Sequence, residues 1–117
     1  RHVYDTARPE MAGALRELRA VTERYLVGET FLPTPEKAAR HVGDDALDAA
    51  VDFSFLDRRW GASLFRERID RWRGALGDRW PCWVLGNHDW PRMASRYGSD
   101  ARCRLAMALL LTLRGTP

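Results

Sequence analysis

Glu29 and Asp89 are the two residues whose settings suggest chemistry. Each carboxyl stands behind a short apolar run: Tyr25-Leu26-Val27 with Gly28 in one case, Pro81-Cys82-Trp83-Val84-Leu85 with Gly86 in the other. A carboxyl at the end of a buried strand is partly desolvated, which suits a proton donor working near neutral pH. Asp89 closes the run Asn87-His88-Asp89, and three polar residues crowded behind an apolar strand are costly to bury unless they bind one another or a ligand. Arg92 follows closely enough to hold Asp89 by a charge-assisted hydrogen bond. Plainer roles fit the spacing too: a capping or ion-paired Glu29, an Asx-type turn at Asn87–Asp89, a surface Arg92. Trp60, Trp80, Trp90 and Tyr97 could stack on sugars or bases, although such aromatics more often fill a core. His2, His41 and His88 lack metal-ligand spacing, so neither a metal nor another cofactor is expected.

Something must hold these groups in place, and composition bounds what that is. The 117 residues, 45% hydrophobic and 30% charged, fit one globular domain or a part of one and argue against disorder. Nineteen Lys and Arg against sixteen Asp and Glu leave a net charge of +3. The charges alternate in sign along most of the chain, which describes a solvated surface and not a nucleic-acid footprint. Cys82 and Cys103 are too few and too far apart for a disulfide framework, so a reducing, cytoplasmic setting is expected. The apolar run Leu105–Leu113 is too short to cross a membrane. The chain opens without Met and stops just past a turn-like Arg114-Gly115-Thr116-Pro117; the expectation is a segment of a larger domain.

The elements follow from periodicity. Pro9 suits a first helical position, with Met11, Leu15, Leu18, Val21 and Tyr25 as the buried stripe of the helix it opens. Tyr25–Val27 reads as a strand. Thr34-Pro35 reads as the cap and first position of a short helix ending near Gly43. Ala49–Leu56 reads as a second strand with Val51, Phe53 and Phe55 on one face. Trp60–Leu76 is a helix burying Phe65, Ile69, Trp72 and Leu76, stopped by Gly77-Asp78. Pro81–Leu85 is a third strand, and Ser99 caps a last helix through Leu113 with Leu105, Ala108, Leu109 and Thr112 toward the core. This βα alternation with apolar strands implies a parallel sheet covered by helices. In a (β/α)8 barrel both carboxyls would face one mouth, and a doubly wound sheet offers similar geometry. No glycine-rich phosphate loop is present.

The ordered set Val27-Gly28-Glu29-Thr30, Val51-Asp52-Phe53-Ser54-Phe55, Trp83-Val84-Leu85-Gly86-Asn87-His88-Asp89-Trp90-Pro91-Arg92 and Leu109–Pro117 resembles glycoside hydrolase family 13. The closest resemblance is to the α-glucosidase and oligo-1,6-glucosidase branch of the α-amylase superfamily. The opening, with Tyr4, Asp5, Pro9, Glu10, Leu15, Arg16 and Arg19, is similar to the stretch before that branch's acid/base strand, so the resemblance covers nearly the whole chain.

The resemblance implies that residues 1–117 are a fragment of a single catalytic domain, a partial (β/α)8 TIM barrel running roughly from helix 4 to helix 7 with strands 5, 6 and 7. It implies that Glu29 is the general acid/base, that Asp89 is the carboxylate stabilising the transition state, and that His88 donates to the same glucosyl unit with Arg92 in support. The substrate would be an α-glucoside or oligosaccharide, with no nucleic-acid or membrane partner. The family's nucleophilic Asp belongs to the strand before this chain, and so by itself the chain is expected to be inert. Asp52 stands where the family commonly has Asn, and Arg114 where it has Pro. Trehalose synthases and other transglucosylases share these motifs, and non-catalytic relatives resemble the branch.

Overall fold

The computed structural model describes residues 8–117; His2, Tyr4 and Asp5 lie outside the described residues. In chain order the elements are α1 (Met11–Ala20), β1 (Val27–Gly28), α2 (Pro35–Ala39), β2 (Ala49–Asp52), a 3-10 turn (Ser54–Leu56), α3 (Ala62–Leu76), β3 (Cys82–Trp83), α4 (Met93–Tyr97) and α5 (Asp100–Thr112). The three strands are parallel and lie in the order β1-β2-β3, pairing Val27 with Ala49 and Val51 with Cys82. Thr116 adds a parallel bridge to Cys82, its N–H donating to the Pro81 carbonyl and its carbonyl accepting from Trp83 N, both at 2.8 Å. Strand order therefore follows chain order with no reversal, as along a barrel wall and equally within one half of a doubly wound sheet. Among the described residues no helix is long and apolar enough to cross a membrane.

The core lies between the sheet and its helices. Ala50, Trp83 and Leu85 face Phe55, Phe65, Trp72, Leu76, Ala106 and Leu110. Phe55 stacks between Phe65 and Trp83, ring centroids 5.1 and 5.7 Å away. Each such aromatic removed from water contributes about 1.5–3 kcal/mol. The α3 stripe is as the spacing predicts, with Phe65, Trp72 and Leu76 buried and Ile69 partly so. Its helix stops at Gly77, which takes a left-handed φ of 62°. Thr34 caps α2, its hydroxyl accepting from Lys37 N.

Several expectations need correction: the first strand is Val27–Gly28 and not Tyr25–Val27, and the third is Cys82–Trp83 and not Pro81–Leu85. Pro9 precedes α1 in a turn, Glu10 holds the cap position, and no residue of α1 is buried; of the expected stripe Leu15 is half-buried, Met11 and Leu18 are exposed, and Val21 and Tyr25 lie exposed beyond the helix. The second strand ends at Asp52, not Leu56, because Asp52 Oδ1 accepts from Ser54 N at 2.9 Å and from Ser54 Oγ and so bends the chain. The bend swings Phe55 and Leu56 into the core and leaves Val51 and Phe53 half-buried on the other side. In α5 the buried residues are Ala106 and Leu110, whereas Leu105, Ala108 and Thr112 are exposed and Leu109 is half-buried. Ser99 occupies the cap position of α5 without a side-chain cap bond.

Candidate active site

Glu29 leaves β1 directly after Gly28, and Asn87-His88-Asp89 leave β3 shortly after Trp83. Parallel strands aim both departures to the same end of the sheet. Asn87 joins the two sets: its Nδ2 donates to Glu29 Oε1 across a long 3.5 Å, and its Oδ1 accepts from Asp89 N at 3.1 Å. The second bond is an Asx turn, so the plain role and the convergence on Glu29 come from the two ends of one amide. His88 Nε2 lies 3.3 Å from Asp89 Oδ1. Glu29, His88 and Asp89 are all exposed, so the described residues do not supply the desolvation expected at Glu29. Arg92 is brought to the same loop but forms no ion pair with Asp89 among the described residues. Its backbone is extended at the cap position of α4 (φ −54°, ψ 149°), and its side chain is exposed.

Aromatic rings line the end of the sheet. Phe31, after β1, has its ring centroid 5.3 Å from that of Phe53, after β2, and 6.3 Å from that of Trp90, after β3. Trp90 is thus the one of the four aromatics marked in the sequence that stands at the site. Trp60 and Tyr97 pack edge to face in the core, and Trp80 donates to Thr116 Oγ1 at 3.0 Å. A cleft of about 470 Å³ opens behind these rings, lined among others by Thr30, Phe31, Asp52, Phe53, Trp72 and Trp90. Asp52 is buried there. Burial pushes its carboxyl above the usual range, while the two Ser54 bonds and Arg68 oppose the shift. Asp52 Oδ2, Thr30 Oγ1 and Trp72 Nε1 are buried without hydrogen-bond partners among the described residues. No group of three His, Cys, Asp or Glu among them is placed to hold a metal ion.

Two residues of the site, Phe31 and Arg96, were not legible in the sequence. Arg96, on the five-residue α4, is buried, and its guanidinium donates to backbone carbonyls of the segments that follow β2 and β3. A helix this short carries no measurable period. Its one sequence signal is a run fenced by Pro91 and Gly98, the latter left-handed at φ 63°.

Residues 2–117 match the family "Alpha amylase, catalytic domain". The chain is 30% identical to a probable alpha-glucosidase of Rhizobium meliloti, over 98% of its own length and 23% of the relative's. It is 32% identical to a palatinase of Erwinia rhapontici over 78% and 21%, and 29% identical to an oligo-1,6-glucosidase of Parageobacillus thermoglucosidasius over 93% and 24%. Among solved structures it superposes on the alpha-glucosyl transfer enzyme XgtA with a TM-score of 0.79 at 27% identity, covering 93% of this chain and 22% of that one. The chain spans about a quarter or less of the proteins it matches. A parallel sheet with strands in chain order, an acidic residue behind one strand and Asn-His-Asp behind another agree with those matches, and the chain belongs to the α-amylase catalytic-domain family, glycoside hydrolase family 13.

Proposed function

We propose that this chain is a segment of a retaining α-glucosidase that hydrolyses α-linked glucosides and oligosaccharides in a reducing, cytoplasmic compartment. In this reading β1, β2 and β3 are the fifth, sixth and seventh strands of a (β/α)8 barrel, and Thr116 opens the eighth. The observation that carries the reading is the meeting of Glu29 with Asn87-His88-Asp89 at the carboxyl end of a parallel sheet. The α-glucosidase and oligo-1,6-glucosidase names of its relatives support the substrate class. Glu29 protonates the glycosidic oxygen as the bond breaks, then takes a proton from the incoming water. Asp89 holds sugar hydroxyls and puts negative charge near the oxocarbenium-like ring, with His88 donating to the same unit and Arg92 in support. The attacking carboxylate comes from the strand before β1, outside this chain.

The test is Glu29→Gln in the complete enzyme. Turnover of a maltoside is expected to fall by about 10²–10⁴-fold, and less for a substrate with an activated leaving group, whose first step needs little protonation. Unchanged maltoside turnover would remove Glu29 from the chemistry. A second reading, transfer of the glucosyl unit to a sugar instead of water, is favoured by the likeness to an alpha-glucosyl transfer enzyme. Product analysis on maltose separates them: glucose alone means hydrolysis, longer or rearranged saccharides mean transfer.

A further inference from the structure

We infer that Arg96 is a positioning residue for the proposed site: its guanidinium pins both ends of the loop that carries Asn87, His88 and Asp89 and locks that loop to the turn after β2. The geometry is specific. Nε donates to the Pro91 carbonyl at 2.9 Å and one terminal nitrogen donates to the Leu85 carbonyl, the two residues that bracket Gly86–Trp90. The other terminal nitrogen donates to the Phe55 carbonyl at 2.8 Å and the Asp57 carbonyl at 3.1 Å, in and just past the 3-10 turn. Tyr97 Oη adds a bond to Phe55 O at 2.9 Å.

A guanidinium suits this task for a physical reason. The chain leaving each strand is irregular, so its buried carbonyls have no ladder partner and need a donor. Arginine offers five N–H groups in a fixed plane, and its permanent charge is answered here by carbonyl dipoles, since no carboxylate lies within ion-pairing distance of it among the described residues. A residue needed only to fill the core beside Phe55 and Tyr97 would be apolar. Lysine cannot reach carbonyls on both sides of the loop at once.

The role in positioning rests on the proposed assignment of Asp89 and His88, and the experiment separates the two. In the complete enzyme Arg96→Lys is expected to lower kcat/KM for an aryl α-glucoside by about 10²-fold, the scale of an ångström-sized misplacement. Amide exchange of residues 54–57 and 85–90 is expected to quicken by about tenfold or more, while α3 and α5 exchange as before. In Arg96→Ala, added N-methylguanidinium is expected to restore about tenfold of the lost activity where equal potassium chloride does not. Faster exchange spread evenly over the chain, or unchanged exchange with unchanged activity, overturns the inference. Failure of both variants to fold also overturns it, marking Arg96 as a support of the whole fold. Local opening of the two segments in a protein whose wild type cleaves no α-glucoside upholds the clamp and defeats the proposed activity.

Discussion

Asp48 and Asp52 stand at the two ends of β2 and are ionised in opposite circumstances. Asp48 accepts from Leu26 N at 2.7 Å and from Arg19, and these bonds hold its carboxyl below the usual range against partial burial. It contributes stability above its unfolded pKa that is lost as pH falls through the lower folded value. Asp52 works the other way: burial raises it, so its contribution is present in acid and is lost as pH climbs from the ordinary carboxylate range through the raised value. One of its oxygens is bonded to Ser54 and the other to nothing among the described residues. Asn in its place keeps an oxygen for Ser54 and removes the buried charge. Asp52→Asn is therefore expected to stabilise the protein by about 1 kcal/mol at pH 7, and the gain should shrink as pH approaches 4. Denaturation midpoints of both forms at the two pH values check this; an equal or lower midpoint for Asn at neutral pH would mean that Asp52 has a partner the described residues do not show. The related motif's preference for Asn at this position points the same way.

Between elements, a close approach of backbone to a buried ring occurs where the chain returns after α5. Gly115 sits at φ 145°, and a Cβ there would come within 2.5 Å of Trp83 Nε1 and 2.9 Å of the Pro81 carbonyl. The indole itself donates to Arg114 O at 3.0 Å. Gly115→Ala is expected to cost about 2 kcal/mol or more, the scale of backbone strain at a fixed positive φ, and to expose the Trp83 and Thr116 amides to exchange; an unchanged midpoint would show that this return strand can shift freely. Such a constraint is invisible to periodicity, and that marks the limit of what the sequence discloses. The α3 stripe was legible because apolar residues fall on one side and arginines on the others. The α5 face was not, because Leu105–Leu113 is apolar all round and packing alone selects Ala106 and Leu110. The β2 face was misread because the bend at Ser54 depends on one side chain bonding its own backbone. That Glu29 and Asn87–Asp89 come to one end of the sheet was legible from their places behind strands. Phe31 and Arg96 were not, since ring stacking and carbonyl recognition are set by which loops the fold brings together.

Across the molecule, one side of the sheet is covered by helices and the other, where Ala49 and Cys82 are buried, is covered only in part. Val27 is 50% exposed, Val51 and Val84 are half-buried, and the exposed side chains of α1 include Met11 and Leu18. A second apolar groove of about 430 Å³ runs between α3 and α5 along Trp60, Phe65, Ile69, Leu105 and Leu109. The accessible surface of 7920 Å² exceeds the roughly 6500 Å² expected of a folded monomer of this mass. Exposed apolar side chains such as Val27, Leu105 and Leu111 drive association, and a net charge of +3 offers little repulsion to oppose it. The isolated 117-residue chain is therefore expected to self-associate at micromolar concentration, seen as a sedimentation coefficient above the monomer value that rises with concentration. Because the attraction is apolar, added salt should leave it unchanged or strengthen it, whereas pairing between charged faces would dissolve as screening shortens its reach. A monodisperse monomer with a cooperative melting transition would show that the partly covered sheet face closes on itself, and the barrel-wall reading of this surface would fail with it.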